Sequence, residues 1–204
     1  HTISISCSLI GSAGEKIARS SYPFLTMNTT QDVPALAPGV LELDPVITRE
    51  GSEYVLRCRS RLPRPRDVIF PFFSDARNLE KITPSLLQFK VLTEGPITME
   101  TGAIIDYRLK IRGLPVRWRT LISAWEPPDR FEDTQLKGPY RQWIHEHAFV
   151  DEGETTLMQD TVRYKVLGGA LIHRLMVRKD VLKIFGYRRE IFARLFPPTG
   201  GEPG

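Results

Sequence analysis

The alternation of apolar and polar positions predicts antiparallel strands over most of the chain. Residues 53–61 (EYVLRCRSR) alternate in this way, and two short helices, divided near Ser74 and Asp75, are expected between residues 64 and 84. Six further strands follow at regular spacing, with the turn sequences GLP, EPPD, KGPY and DEGE between the later ones. Their predicted bounds are 87–94, 102–113, 115–126, 129–138, 141–152 and 155–166.

A helical period replaces the alternation near the end of the chain. Between residues 170 and 195 the apolar positions recur at helical spacing, at Leu171, Leu175, Leu182, Phe185 and Phe192. An antiparallel sheet with one apolar face must bury that face, and this helix can cover it. We therefore predict an α+β fold: a curved antiparallel sheet of about seven strands wrapped around a long C-terminal helix, with two short helices after the first strand.

One predicted strand carries an unusual run of side chains. Residues 143–149 read Trp-x-His-x-His-x-Phe, so two imidazoles and two aromatic rings share one face of the strand. The turn positions predict which residues lie opposite one another on neighbouring strands. The predicted pairs are His145–Asp160, His147–Met158, Trp143–Val162, His145–Asp133, Trp143–Gln135, Thr120–Gln135, Ile122–Asp133, Leu109–Trp118 and Tyr107–Thr120.

The face of the sheet that this register turns inward is mostly apolar and aromatic, but it also carries a polar group of Asp133, Gln135, His145, His147 and Asp160. Buried polar groups are costly unless they are paired. A ligand cavity combines apolar walls with a few convergent polar groups, so the pattern predicts such a cavity. Its predicted ligand-binding residues are Tyr107, Trp118, Thr120, Ile122, Asp133, Gln135, Trp143, His145, His147, Phe149, Asp160 and Tyr164.

The composition is that of a globular protein and narrows the partners only slightly. Of the 204 residues, 41% are hydrophobic and 25% are charged. No apolar run approaches the roughly 20 residues of a membrane-spanning helix. The net charge of +4 is weak evidence for an anionic partner. The two cysteines, Cys7 and Cys58, do not make a disulfide framework, so we expect a reduced, cytoplasmic setting.

The two ends of the chain show little periodicity. Prolines interrupt residues 1–50, which we predict to be a disordered leader, and residues 197–204 are predicted to be a disordered tail. The first residue is His, and we expect natural translation to begin at Met27. The predicted ligand-binding domain therefore spans residues 53–196.

Several stretches resemble the START-like superfamily of helix-grip proteins, also called the SRPBCC or Bet v 1-like fold. They are FFSDARNLEKITP, GAIIDYRLKIRGLPVRWRTLI, PPDRFEDTQLKGPYRQWIHEHAF and DTVRYKV, followed by the long last helix. The resemblance covers about residues 53–196 and is closest to bacterial ligand-binding proteins of the polyketide-cyclase or coenzyme-Q-binding-like type, some of them labelled cell-division inhibitors. It implies a deep apolar cavity for lipids, quinones, polyketides or hormones, and some members are cyclases or dehydratases.

Two functions compete on these grounds. The first is cofactor-free, non-catalytic binding of a small apolar or aromatic ligand, such as a lipid, a quinone or a polyketide-like molecule. The alternative is a cyclase or dehydratase in which His145 acts as an acid or base beside Asp133 or Asp160. His145 and His147 with one of these aspartates would also make three metal ligands, but no thiolate or fixed motif accompanies them, so no metal is predicted.

Basic side chains follow the outer face of the sheet and the last helix. Such residues usually form a solvated face, so we predict no nucleic-acid partner and leave open only a weak contact with an anionic membrane surface. The oligomeric state stays open as well. The basic stripe on the sheet consists of Arg108, Lys110, Arg112, Arg117 and Arg119. The basic residues of the last helix are Arg174, Arg178, Lys179, Lys183, Arg188, Arg189 and Arg194.

Overall fold

The computed structural model describes residues 42–198, which form an antiparallel sheet and a C-terminal helical segment. The predicted leader up to residue 41, with Met27, and the tail from residue 199 lie outside the described residues. The strands are β1 (Glu42–Glu50), β2 (Glu53–Leu62), β3 (Lys90–Val91), β4 (Ile104–Ile111), β5 (Leu114–Glu126), β6 (Arg130–Lys137), β7 (Gln142–Asp151) and β8 (Thr156–Lys165). The helices are α1 (Arg66–Ser74), α2 (Gly169–Ile172) and α3 (Arg178–Leu195).

Shorter helical turns connect these elements. Two 3₁₀ turns, Ala76–Glu80 and Ser85–Leu87, follow α1, and Asp75 caps the first of them by accepting a hydrogen bond from the Arg77 backbone N–H. A π-helical turn, His173–Val177, joins α2 to α3, so the helical segment is continuous from Gly169 to Leu195. Within residues 42–198 no helix is long and apolar enough to cross a membrane.

The strands pair antiparallel in the order β1-β2-β8-β7-β6-β5-β4-β3, and the curved sheet does not close on itself. The helical segment covers its inner face: Val181 and Phe185 of α3 pack in one buried cluster with Val162 of β8. Phe192 packs in a second cluster with Phe149 of β7. The predicted α+β helix-grip architecture is confirmed.

The sheet has eight strands where about seven were predicted, because one strand lies within the predicted leader. Residues 42–50, which the sequence pattern assigned to the leader, form β1 and pair with β2. Their alternation is broken because the register shifts between Leu43 and Val46, where Pro45 withholds a backbone donor. At the opposite edge, β3 is only two residues long rather than the predicted 87–94, because Ser85–Leu87 is a helical turn and Gln88 turns the chain with a φ of 43°.

The hairpin registers were predicted partly correctly. Three predicted pairs are confirmed: Asp133 lies opposite His145, Ile122 lies opposite Asp133, and Thr120 lies opposite Gln135. Across β7 and β8, however, His147 faces Asp160 and His145 faces Val162, because the loop between these strands has four residues instead of two. That error is a shift of two positions, which leaves every side chain on its predicted face.

The remaining register errors come from the same two-residue shift between β7 and β8 or from the turn between β4 and β5. Trp143 faces Tyr164 rather than Val162, and Phe149 takes the place opposite Met158. The β4–β5 turn is Arg112–Gly113, with positive φ at both residues, as a two-residue hairpin turn requires. This turn pairs Tyr107 with Trp118 and Leu109 with Val116. The predicted Trp143–Gln135 pair lies beyond the β6–β7 pairing, which runs from Arg130–Ala148 to Thr134–Ile144.

The apolar face of the last helix also differs from the prediction. Phe185 and Phe192 are buried, but Leu171 and Leu175 are 65% and 54% exposed. A π-helical turn holds more residues than an α-helical turn, so a single helical period does not extend from α2 into α3 across His173–Val177. His173, not Leu171 or Leu175, is the buried residue of that stretch.

Candidate functional site

A cavity of about 500 Å³ lies between the inner face of the sheet and the C-terminal helical segment. Apolar side chains supply most of its wall, and only a few polar groups reach it. Strands β4 to β8 form one side, the segment from Met176 to Arg188 forms the other, and the turns after α1 lie at one end. Wall residues shared among these parts include Ile105, Tyr107, Trp118, Ile122, Phe131, Trp143, Leu79, Leu87, Val181, Ile184 and Phe185.

The structure divides the predicted ligand-binding residues into two groups. Eight of them line the cavity: Tyr107, Trp118, Thr120, Ile122, Asp133, Trp143, His145 and His147. The other four lie outside its lining. Phe149 belongs to the aromatic core around Phe73 and Phe192, and Gln135 holds the Tyr140 backbone through its side-chain amide. Asp160 lies behind the two histidines and Tyr164 bonds to His173, as set out below.

Two buried histidines, the buried Asp160 and the half-buried Asp133 form one cluster at the middle of the sheet. Nε2 of His145 lies 2.9 Å from Oδ1 of Asp160 in a hydrogen bond, and Nδ1 of His147 lies 2.9 Å from the same oxygen. On the cavity side, Oδ2 of Asp133 lies 3.3 Å from Nε2 of His147 and 3.6 Å from Nδ1 of His145. Each carboxylate therefore contacts both imidazoles, whose ring centroids are 3.8 Å apart.

The strand geometry explains why these four side chains meet. Residues two apart on β7 share a face, so His145 and His147 are neighbours along the strand. Asp133 on β6 is directly opposite His145, and Asp160 on β8 is directly opposite His147. The aspartates thus approach the histidine pair from the two neighbouring strands. Each aspartate is directly opposite one histidine and diagonal to the other.

Burial and charge shift the pKa of each group in a different direction. Burial alone would raise the pKa of Asp160, but the hydrogen bond to His145 and the close contact with His147 outweigh it and hold this pKa well below its usual range. Burial lowers the pKa of His147, yet its contacts with Asp133 and Asp160 reverse the balance and raise it. Burial and then the charge of His147 lower the pKa of His145. The two neighbouring imidazoles therefore differ in basicity, with His147 the more basic of the pair.

The helix side of the cavity presents Arg188 of α3. Its Nε is shielded from solvent and has no hydrogen-bond partner, while its guanidinium lies 4.9 Å from the centre of the Phe185 ring. Burial lowers the pKa of this guanidinium, although the charges of Asp160 and Asp133 favour the protonated form. An acceptor atom of a bound molecule would satisfy the free N–H.

An ion pair joins the two sides of the cavity at its edge. Arg112, in the β4–β5 turn, donates two hydrogen bonds of 3.0 and 3.1 Å to Asp180 of α3. Both residues line the cavity. The bidentate geometry fixes the turn against the helix, so a molecule that enters at this edge must pass or open the pair.

The third described histidine lies in a different environment. His173 shares a 2.9 Å hydrogen bond through Nε2 with the hydroxyl of Tyr164, and its ring stacks on Tyr54 at a centroid distance of 3.4 Å. Burial, and then the charge of Arg178, lower the pKa of His173. This group is a satisfied polar contact of the core.

Comparisons with known proteins place the chain in a family. Residues 62–183, more than half of the chain, match the family described as polyketide cyclase / dehydrase and lipid transport. The chain belongs to this family. No curated protein matches it significantly.

Solved structures share the fold at low sequence identity. Protein Ms6760 from Mycobacterium smegmatis is 15% identical, with a TM-score of 0.57 over 76% of this chain and 96% of that one. Major latex-like protein 151 from Panax ginseng is 17% identical, with a TM-score of 0.56 over 72% of this chain and 100% of that one. Zhui aromatase/cyclase from Streptomyces sp. R1128 is 14% identical, with a TM-score of 0.52 over 74% of this chain and 99% of that one.

Sequence reasoning missed three polar groups of this family member's cavity. Arg188 was assigned to the basic outer surface of the last helix, although it lies three residues after Phe185 and four before Phe192, on the buried side. That spacing was the signal that could have found it. Arg112 and Asp180 are 68 residues apart and left no comparable signal in the sequence.

Proposed function

We propose that this chain binds a small apolar or aromatic molecule, of lipid, quinone or polyketide type, in the cavity between the sheet and the C-terminal helix. The observation that carries the proposal is the cavity of about 500 Å³ with a mostly apolar wall. Cavities for small organic ligands typically range from about 300 to 1,000 Å³ and combine such walls with a few placed polar groups. Membership of a family described by cyclase, dehydrase and lipid-transport functions agrees with this use.

The polar groups divide into two opposite sides of the cavity. Asp133, His145 and His147 meet the ligand from the sheet, and Arg188 meets it from the helix. Burial of apolar ligand surface contributes roughly 25 cal/mol per Å² before the costs of ordering, so the wall supplies most of the affinity. The polar groups set the orientation, and an oxygen-bearing end of the ligand pairs with the free N–H of Arg188.

The test uses a matched pair of substitutions on β5. Thr120→Trp fills the cavity from a buried position, whereas Arg117→Trp adds the same ring on the exposed face of the same strand. Native mass spectrometry and organic extraction of the purified chain identify any co-purified molecule, and titration with 1-anilinonaphthalene-8-sulfonate measures the site directly. We expect one probe per chain, at least about tenfold weaker binding in Thr120→Trp, and unchanged binding in Arg117→Trp. Equal binding by both variants would overturn the proposal.

The second candidate is a cyclase or dehydratase, and a specific geometry favours it. Nε2 of His145 is engaged by Asp160, which leaves Nδ1 of the ring on the side of Asp133, a wall residue of the cavity. An imidazole held in this way can remove or return a proton of a bound substrate. Replacement of His145 by Ala separates the two functions: a binding protein keeps probe affinity within a small factor, whereas an enzyme loses turnover of a polyketide-type substrate while binding persists.

A further inference from the structure

Three atoms with electron pairs to donate converge on the sheet side of the cavity. Oδ2 of Asp133 lies 3.3 Å from Nε2 of His147 and 3.6 Å from Nδ1 of His145. The possible ligand atoms of these three residues all lie within 4.8 Å of one another. All three residues line the cavity, so the convergence faces the space that a ligand would occupy.

The other nitrogen of each imidazole lies close to one carboxylate oxygen. Nε2 of His145 and Nδ1 of His147 each lie 2.9 Å from Oδ1 of Asp160. Asp160 is 3% exposed and does not line the cavity. A carboxylate behind the rings fixes the tautomer of metal-binding histidines, because the outer N–H donates to it and the inner nitrogen keeps its lone pair.

The ring nitrogens that face Asp133 have too few hydrogens to donate. A neutral imidazole has a single N–H. Nε2 of His145 hydrogen-bonds to Asp160, so when that nitrogen carries the single hydrogen, Nδ1 of His145 presents a lone pair to the carboxylate of Asp133, 3.6 Å away. Only Nε2 of His147, at 3.3 Å from the same carboxylate, can then supply a donor among the three atoms. Electron pairs gathered in this way repel one another unless a cation lies between them. Nδ1 of His147 also lies near Asp160 without hydrogen-bond alignment, so the pair does not satisfy its own donors and acceptors.

We propose that Asp133, His145 and His147 form a binding site for a divalent transition-metal ion, with Asp160 behind both histidines, hydrogen-bonded to His145 and 2.9 Å from Nδ1 of His147. Metal–ligand bonds of about 2.0–2.1 Å place neighbouring ligand atoms roughly 3.0–3.4 Å apart, close to the observed 3.3 and 3.6 Å. Two imidazoles and one carboxylate suit Zn²⁺ or Fe²⁺ and leave coordination positions open toward the cavity. The sequence offers no metal-binding motif, so a metal was not predicted; the convergence of the three ligand atoms within 4.8 Å is the observation that supports one.

The alternative occupant of the same space is a proton. A doubly protonated His147 would donate to both aspartates and leave a closed polar network. The two occupants make different predictions, because elemental analysis detects a metal ion and not a proton, and because a metal ion leaves no hydrogen on the ring nitrogens that it binds. The site does not depend on the identity of the apolar ligand, so its test uses the metal alone.

The first experiment measures Zn²⁺ binding by the full chain after exhaustive chelator dialysis. We expect one equivalent per chain by elemental analysis and calorimetry. The substitutions Asp133→Asn and His147→Gln should weaken binding by more than about 100-fold, and Asp160→Asn by about 10- to 100-fold, since it removes only the group behind the ligands. His173→Gln is the matched control, a buried histidine that bonds to Tyr164, and should leave the affinity unchanged. Circular dichroism verifies that each variant is folded.

A second measurement needs no variant. Long-range ¹H–¹⁵N spectra of the imidazoles, recorded with and without Zn²⁺, report the state of every ring nitrogen. We expect Zn²⁺ to shift Nδ1 of His145 and Nε2 of His147 while their outer nitrogens stay protonated, and His173 to remain unchanged. Folded wild-type chain that takes up no stoichiometric Zn²⁺ would overturn the proposal. So would Zn²⁺ affinity that survives both ligand substitutions, or shifts confined to other histidines.

Discussion

Two buried histidine environments in this molecule differ in almost everything except burial. His173 is 6% exposed, and His145 and His147 are 4% and 5% exposed. His173 bonds to the hydroxyl of Tyr164 and stacks on Tyr54, so its polar partner is uncharged. The β7 pair is instead bracketed by two carboxylates.

The difference teaches that a buried histidine does not need a charged partner. A phenol is enough to satisfy one imidazole nitrogen, and it keeps the ring neutral. A buried carboxylate costs several kcal/mol in lost hydration, which its partners must offset. A fold that needed only a polar contact would use the arrangement around His173. The hydration lost at Asp160, and in part at Asp133, therefore supports the functional role that we propose for the β7 pair.

The largest effect is expected at the charged cluster. Asp160→Asn removes the charge that both histidines face, and we expect it to lower the free energy of unfolding by about 3 kcal/mol, as breakage of a buried pair does. Urea denaturation measures this change. Glu50→Gln is the control, because Glu50 and Arg57 form a surface pair with side chains 50% and 48% exposed, and the loss there should stay below about 1 kcal/mol. Equal losses in the two variants would mean that the cluster carries no special electrostatic cost.

A smaller effect is expected at the neutral histidine. Tyr164→Phe removes the hydroxyl that bonds to Nε2 of His173, and we expect a loss of about 1–2 kcal/mol in the free energy of unfolding, because a buried nitrogen loses its partner. Binding of the cavity probe should stay within a factor of two or so, since Tyr164 lies outside the cavity lining. Loss of probe binding would place Tyr164 in the ligand site after all.

The smallest effect concerns pH. The pKa of His173 is lowered by burial and by Arg178, so the folded state resists a proton that the unfolded state accepts near its pKa of about 6.5. The stabilisation is complete above that pKa and is lost as the pH falls from it toward the folded-state pKa. Between pH 7 and 6 we expect wild type to lose under about 1 kcal/mol more than His173→Gln. An identical pH dependence of unfolding in the two proteins would contradict a lowered pKa.

The sequence predicted which residues share a face of the sheet better than it predicted which residues lie opposite one another on adjacent strands. Period-two alternation placed Asp133, His145, His147 and Asp160 on one face, and an error of two residues at the β7–β8 turn left that face unchanged. Which aspartate lies opposite which histidine depended on the length of the loop, which composition does not fix. Strand β1 was missed because Pro45 and a register shift interrupt its alternation.

The side-chain geometry of the site could not be predicted from the sequence and is seen only in the structure. The free N–H of Arg188 depends on how the helix is rotated against the sheet. The position of Asp160 behind the rings, with both outer nitrogens at 2.9 Å, depends on the rotamers of two side chains. Periodicity reports which residues share a surface and is silent on where a given ring nitrogen points.

The π-helical turn His173–Val177 has a consequence for the evolution of this sequence. Such a turn holds one residue more than an α-helical turn, so it has the form of a single-residue insertion that the helix has absorbed. Deletion of one residue there would restore an α-helical turn and rotate everything upstream by roughly 100°, moving His173 away from Tyr164 while α3 kept its place on the sheet. Alignments of relatives through this helix should therefore need a one-residue gap wherever the partner of Tyr164 is absent.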